Sequence, residues 1–376
     1  MNEQMQNSQT GEKGPSEKAG ETAAVRKKRR WSIPLLILEV FVLFIAIGVL
    51  YVITTTTKEI ERTDIDTENI VINEEVVETK VEREEVQELK GYRNIALFGV
   101  DARDGDLGKG TRSDTIIIAS INQDTHEIKL VSVYRDTYLN LGNDSYNKCN
   151  GAYAKGGPEQ AITMLNMNLD LDITDYVTIG FSGLIEAIDA LGGIEMEITE
   201  AEINHLNNYQ LCMAEEMGVD YIPVTETGVQ TLNGMQATAY CRIRYTKGDD
   251  FRRAQRQRDV LGAMMIKAQD ASLATLKDVV TAVLPSVNTS LNVNEIISVL
   301  SSVAEYNVVA SEGFPFERER TNATIGSKGD CIIPLTLEEN VELLHELLYN
   351  GERYTPSKQV TLLSEEIAEQ TEEYTN

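Results

Sequence analysis

Arginines in this acidic chain fall at the ends of apolar runs and along one later stretch. Arg103, Arg112 and Arg135 flank three candidate strands, while Arg242, Arg244, Arg252, Arg253, Arg256 and Arg258 crowd a single segment. A planar guanidinium binds phosphate oxygens two at a time, and a site handling several phosphate charges needs more than one such fork. Asp101 ends the first apolar run and Asp114 begins the second, so two carboxylates are expected to meet across neighbouring strand ends. Two oxygen donors plus substrate phosphates suit Mg²⁺, which keeps several waters and takes few ligands from protein. Taken singly, each of these residues reads as well as a surface ion pair worth ~0–1 kcal/mol. Their recurrence at successive strand ends favours a site, because α/β folds bind ligands there.

Spacing adds detail. Arg135-Asp136 closes the third run, Arg242-Ile243-Arg244 alternates as a strand would with both arginines on one face, and Arg253 and Arg256 share a helix face at i, i+3. The Gly105 to Gly110 loop lacks the Gly-Lys-Ser/Thr ending of a P-loop and reads as a flexible rim. Nucleophilic and metalloprotease chemistry find little support: His126, His205 and His345 lie outside these clusters, and neither Gly-x-Ser-x-Gly nor His-Glu-x-x-His occurs.

The elements that must position these groups are legible in outline. Asn94 to Val100, Thr115 to Ile121 and Ile128 to Tyr134 are apolar throughout, as strands of a sheet covered on both faces are. Further strands are expected at Asp175 to Gly180 and Ala239 to Arg244. Helices are expected from Pro158 to about Asn168, Ser182 to Leu191 before Gly192-Gly193, about Asp250 to Ala271, Asn294 to Ala304 and Leu337 to Leu348. Helices mixed with buried strands give an α/β layered domain. The apolar segment Leu184 to Leu191 reads as core, or in part as the wall of a groove for a lipid tail.

Outside this domain the chain changes character. Apart from Pro34 and Glu39, residues 33–53 are apolar over about the length that crosses a bilayer as one helix. Arg26, Lys27, Lys28, Arg29 and Arg30 precede them, so the positive-inside rule places residues 1–30 in the cytoplasm and the remainder outside. No small-residue cleavage site follows the span, as a removed signal peptide would require. Residues 54–92 read as an extracytoplasmic stalk, 93–270 as the globular domain that carries the arginine-rich site, 271–350 as a C-terminal helical extension of uncertain role and 351–376 as an acidic flexible tail. A net charge of −26 argues against a nucleic-acid partner, whose binding depends on a basic surface. Cys149, Cys212, Cys241 and Cys331 match no zinc spacing and are expected to pair or to be buried free.

In order along the chain stand Gly99-Val100-Asp101-Ala102-Arg103, Arg112-Ser113-Asp114-Thr115, Ser132-Val133-Tyr134-Arg135-Asp136 and Tyr153-Ala154-Lys155-Gly156-Gly157. They are followed by Leu191-Gly192-Gly193-Ile194, Leu232-Asn233-Gly234-Met235-Gln236-Ala237, Tyr240-Cys241-Arg242-Ile243-Arg244 and Asp250-Phe251-Arg252-Arg253-Ala254-Gln255-Arg256-Gln257. This ordered set, over roughly 93–270, resembles the LytR-CpsA-Psr proteins of bacterial cell envelopes. The resemblance implies an αβα layered domain with a central mixed sheet, an apolar cavity for a polyprenyl chain and a polar mouth for its pyrophosphate. It implies a Mg²⁺-dependent phosphotransferase that moves a glycopolymer from a polyprenyl-pyrophosphate carrier onto peptidoglycan at the membrane. By position, Asp101 and Asp114 resemble the metal-facing acids, and Arg112, Arg135, Arg242 and Arg244 the residues around the pyrophosphate. Arg253, Arg256 and Gln257 resemble the helix-borne part of the site, and Arg103 its rim. Tyr134 departs from the pattern, since family members often carry Pro there; an altered turn is expected. Alternatives are a hydrolase of the same lipid pyrophosphate and a non-catalytic protein that binds lipid intermediates and attenuates envelope gene expression.

Overall fold

In the computed structural model, residues 69–77, 91–101, 107–244, 249–351 and 353–375 are described. The chain divides into Met1–Thr54 and Thr55–Asn376, and every described residue falls in the second unit. The expected cytoplasmic tail, the span at 33–53, most of the stalk and Arg103 lie outside the described residues. Among those described, no helix is long and apolar enough to cross a membrane.

The three apolar runs fold as β1 (Tyr92–Val100), β2 (Ser113–Asn122) and β3 (Glu127–Val133), paired as an antiparallel meander. The Asn122 side-chain oxygen accepts from the Asp124 and Thr125 amides at 2.9 and 3.0 Å, which turns the chain between β2 and β3. After the small hairpin β4 (Tyr138–Asn140) and β5 (Tyr146–Lys148), helix α1 (Asn150–Leu169) crosses the sheet and returns as β6 (Asp175–Ile179), parallel to β1. The helix begins eight residues earlier than expected and breaks at Gly157, whose φ of +68° suits glycine; Pro158 then restarts it.

Helix α2 (Phe181–Ala190), strand β7 (Ile194–Ile198), helix α3 (Glu200–Met217) and strand β8 (Gly228–Leu232) form a subsidiary layer, with β7 and β8 paired. The expected strand over 239–244 is a helix, α4 (Gly234–Arg242). Asn233 and Gln236 form a reciprocal capping box at its start, each side chain bonding the other's amide at 2.9 Å. That cap outweighs the short Arg-Ile-Arg alternation. Helix α5 (Asp249–Gln269) follows, then α6 (Leu273–Val283), β9 (Val287–Thr289) and α7 (Val293–Ser301).

Residues beyond 270 are part of the domain, not a helical appendage. β9 pairs with β6, and β10 (Asn307–Phe314) pairs in parallel with β3, completing a six-stranded mixed sheet in the order β10-β3-β2-β1-β6-β9. The hairpin β11 (Arg320–Thr324) and β12 (Asp330–Pro334) and helix α8 (Leu337–Leu348) follow. The expected loose tail is helix α9 (Lys358–Thr375), whose Val360, Leu363, Ile367 and Thr371 are buried at helical spacing. Val360, Leu363 and Ile367 each contribute ~1.5–3 kcal/mol on burial, enough to order a helix whose other face is acidic.

One face of the sheet is covered by α1, α8 and α9, with Phe98, Ile116, Val131 and Val133 in the shared core. Ile70, expected in the stalk, is 8% exposed within that same core. Nearby, the Asn73 amide donates to the Met167 carbonyl at 3.1 Å, so the described part of the expected stalk, residues 69–77, is docked on the domain. The other face presents Ile117, Ala119, Ile128 and Leu130 towards Leu261 and Met265 of α5.

Candidate active site

A cavity of about 430 Å³ lies between the open part of that second face and helices α2, α4 and α5. Protein interiors are normally filled to crystal density, so a hollow of this size is a ligand-sized feature. Its walls are apolar: Leu97, Ile117, Val177 and Ile179 from the sheet, Leu184 from α2, and Val260, Leu261 and Met264 from α5. The α5 contribution runs Arg253, Gln257, Val260, Leu261 and Met264, a stripe at helical spacing that passes from polar to apolar along one face.

The polar end gathers Asp101, Asp114, Arg242, Arg244, Arg253 and Gln257. β1 delivers Asp101 and β2 delivers Asp114, because the antiparallel register sets Val100 opposite Ser113. The two carboxylates thus line one mouth, as the strand-end argument expects. α4 ends on Arg242, and α5 supplies Arg253 from its first turns.

Charges alternate along this mouth. Lys148 Nζ lies 3.1 Å from Asp136 Oδ1, and Arg135 Nε donates to Asp136 Oδ2 at 3.2 Å. Arg135 Nη1 donates to Asp114 Oδ1 at 2.8 Å, and Arg244 Nη2 lies 3.6 Å from Asp114 Oδ2. Arg244 Nε and Arg253 Nη1 then lie 3.8 and 3.1 Å from Asp250 Oδ1. Four cations are separated by three carboxylates in this chain, and with Arg242 and Asp101 counted the mouth stays net positive by one charge within a strongly acidic protein. Arg242 stands apart from this chain, its guanidinium 4.5 Å from the Phe181 ring centroid and 5.5 Å from that of Tyr209.

Several of these groups retain unused hydrogen-bonding capacity. Arg242 Nη1 and Arg253 Nε are buried without a hydrogen-bond partner, and the Arg253 Nη1 ion pair with Asp250 is off the line of a hydrogen bond. An unsatisfied buried donor costs about 1–3 kcal/mol and more when charged, so such groups clustered at one mouth favour an incoming anion. Burial pulls the Arg253 guanidinium down to about 10; Asp250 opposes this, and Arg135 and Arg244 add to it. For Arg135, burial works against the charge, but Asp114 and Asp136 outweigh it and raise the group above its ordinary value.

The remaining expected residues lie elsewhere. Arg112 is exposed and is not among the cavity-lining residues. Arg256, expected to bind substrate, is 1% exposed and points away from the cavity. Its Nε and Nη2 lie 3.0 and 2.9 Å from Glu202 Oε1, and Nη1 donates to the Ile243 carbonyl at 3.1 Å. It ties α5 to α3 and to the residue before Arg244. Asp250, Phe181 and Tyr209 join the site without having been singled out for it. Asp250 opens the Asp250–Gln257 sequence motif, whereas no spacing marks Phe181 or Tyr209.

Tyr153 gives its motif a structural meaning: its hydroxyl bonds the Leu107 carbonyl at 2.6 Å and Thr178 Oγ1 at 2.9 Å, tying Leu107 to β6. All four cysteines are free, with Cys149, Cys241 and Cys331 buried. Burial, with Asp259 adding to it, pushes the cavity-lining Cys241 thiol up to about 12, so it stays protonated and is a poor nucleophile. Among the described residues no three His, Cys, Asp or Glu side chains converge on a common metal position. Two carboxylates are nevertheless a donor set that suits Mg²⁺ completed by water and phosphate oxygens.

Fold and site together define an α/β protein with an arginine-rich anion site at the mouth of an apolar cavity. The sequence pattern of the LytR_cpsA_psr family matches residues 49–330, and the chain belongs to that family. It is 32% identical over 219 residues to the polyisoprenyl-teichoic acid–peptidoglycan teichoic acid transferase TagU of Oceanobacillus iheyensis, covering 56% of this chain and 62% of that one. It is 30% identical over 213 residues to biofilm regulatory protein A of Streptococcus mutans, covering 54% and 50%. The matched regions therefore span less than two thirds of these relatives. Among solved structures, the LytR-CPS2A-psr family protein YwtF (TagT) with bound octaprenyl pyrophosphate lipid shares the fold at a TM-score of 0.51 and 20% identity, covering 69% of this chain and 91% of that one.

Proposed function

We propose that this protein is a membrane-anchored phosphotransferase that moves a glycopolymer from a polyprenyl-pyrophosphate carrier onto peptidoglycan, forming a phosphodiester and releasing polyprenyl phosphate. The observation that carries the reading is the join of two environments: an apolar cavity of about 430 Å³ opens directly at Arg242, Arg244, Arg253, Asp101 and Asp114. A ligand that satisfies both ends has a long apolar tail and a multiply charged anionic head. Relatives named as teichoic acid transferases, and a fold neighbour holding octaprenyl pyrophosphate, support the same choice.

In this reading the apolar walls hold the tail while Arg242 and Arg253 take the pyrophosphate oxygens into their unused donors. Arg135 and Arg244 fix Asp114 from two sides. Asp101 and Asp114 would hold a Mg²⁺, which when bound supplies further neutralisation of the pyrophosphate charge. A peptidoglycan hydroxyl attacks the phosphorus next to the glycan, and its proton passes to the Asp101 carboxylate. The bond from that phosphorus to the bridging oxygen breaks, and the electron pair leaves with polyprenyl phosphate. Fixed positive charge is the main demand of such a transfer, which accounts for a site richer in arginine than in candidate bases.

The span at 33–53 and its basic flank support an anchor with the domain outside the cytoplasm. Incubation of the full-length protein with a polyprenyl-pyrophosphate glycan and peptidoglycan, with and without Mg²⁺, tests the reading. Glycan joined covalently to peptidoglycan supports it; free glycan phosphate alone would instead identify a hydrolase.

A further inference from the structure

A small aromatic cluster stands behind the polar mouth, separate from the main cores. Tyr134 packs edge-on against Phe251, ring centroids 4.8 Å apart and planes at 80°, with Ala254 and Ile332 beside them. The Arg320 guanidinium lies 3.8 Å from the Phe251 centroid and 5.0 Å from that of Tyr134. Its Nη1 also donates to the Pro315 carbonyl at 2.9 Å, which holds the charge in place from its own side.

The positions of these rings along the chain give the cluster its meaning. Tyr134 immediately precedes Arg135, which holds Asp114; Phe251 immediately follows Asp250, which faces Arg244 and Arg253. The stack therefore joins the strand end carrying one half of the charge chain to the helix start carrying the other. The C-terminal strands grip the same turn twice more: the Tyr134 amide donates to the Phe314 carbonyl at 2.9 Å, and the Ile332 amide to the Asp136 carbonyl at 2.9 Å. A proline at 134 would lack the first bond. Gly313 forms the seat of the Tyr134 ring, since a Cβ there would overlap the Tyr134 hydroxyl.

We propose that Arg320 is a positioning residue for the phosphate site. It clamps Phe251 against Tyr134 and so holds Asp250 and Arg253 in register with Arg135 and Asp114. Strands β10 to β12, outside the segment whose motifs carry the chemistry, thereby set the geometry of the pyrophosphate pocket. The effect on turnover rests on the phosphotransfer reading; the effect on the helix start does not.

The test compares the full-length wild-type protein with Arg320→Met, Arg320→Lys and Gly313→Ala. Hydrogen exchange over residues 250–257 and steady-state release of polyprenyl phosphate are measured for each. Loss of a partly desolvated cation–ring contact predicts roughly tenfold faster exchange at 250–257 in Arg320→Met, with protection in α8 unchanged. Turnover is expected to fall about tenfold with the KM for the lipid donor held within about twofold, since tail binding is untouched. Arg320→Lys should restore most of both, and Gly313→Ala, by displacing Tyr134, should reproduce the Met phenotype with Arg320 intact. Unchanged exchange at 250–257, an equal rise across α8, or a lysine variant no better than methionine would overturn the clamp. If wild-type protein releases no polyprenyl phosphate, the reaction reading fails while the exchange comparison still decides the clamp.

Discussion

Arg135 Nη1 donates to Asp114 Oδ1 at 2.8 Å, and this bond joins the end of β3 to the start of β2 across the mouth of the cavity. Asp114 is thereby held between Arg135 and Arg244, and in the proposed reaction the proton passes to Asp101. Arg135→Ala should lower turnover by ~10²–10³, the usual cost of removing one preorganised electrostatic contact. Melting should change little, since Lys148 still faces Asp136 and Arg244 still faces Asp114. Polyprenyl phosphate release, measured beside a thermal melt, separates the two effects.

Arg253 illustrates a site maintained against stability. Burial pulls it down to about 10, so its protonated form is disfavoured in the free protein yet still dominates at neutral pH. Arg253→Met should raise the unfolding free energy by about 1 kcal/mol while weakening binding of a pyrophosphate lipid at least about tenfold. Denaturant unfolding and lipid binding on the same sample check this; a variant that loses both stability and binding contradicts it.

The Glu202–Arg256 pair predicts a pH dependence. Burial pushes Glu202 up, but hydrogen bonds from Thr199 and the Arg256 guanidinium outweigh it, so the folded carboxyl lies below its ordinary 4.5. A depressed carboxyl stabilises the fold fully above its unfolded value, and that stability is lost as the pH falls through the folded value. Acid titration of unfolding free energy should therefore show a loss below about pH 4.5 that Glu202→Gln reduces. Arg256→Ala, which strands a buried carboxylate, should cost ~3–5 kcal/mol at neutral pH.

Metal dependence offers a fourth check. Asp101→Asn removes one charged oxygen donor from the proposed Mg²⁺ position while preserving shape. Turnover should fall, because the amide cannot take the proton, and the Mg²⁺ concentration for half-maximal residual turnover should rise on the order of tenfold. An unchanged Mg²⁺ requirement would remove Asp101 from the ligand set.

The cavity mouth was legible in sequence where a residue's position follows from its place at a strand end. Asp101, Asp114 and Arg135 could be placed because three apolar runs are unmistakably buried strands, and Leu337–Leu348 could be bounded because its apolar spacing is clean. Arg256 could not, because its partner Glu202 lies 54 residues away and i, i+3 spacing names a helix face without naming what covers it. The helix over Gly234–Arg242 was hidden by a three-residue alternation, although its Asn233-to-Gln236 cap was present in the sequence. Acidic composition concealed the buried stripe of α9, and nothing local marks β9 and β10 as edges of a sheet begun two hundred residues earlier. Pairings at such separation depend on tertiary context.

The most direct test of the central claim uses full-length protein in membranes, a polyprenyl-pyrophosphate glycan, peptidoglycan and Mg²⁺, with lipid products and wall-bound glycan quantified together. The proposed function predicts equal amounts of polyprenyl phosphate and peptidoglycan-linked glycan, both lost in Arg135→Ala. Bound lipid donor that is never turned over, in the presence of Mg²⁺ and acceptor, would contradict it.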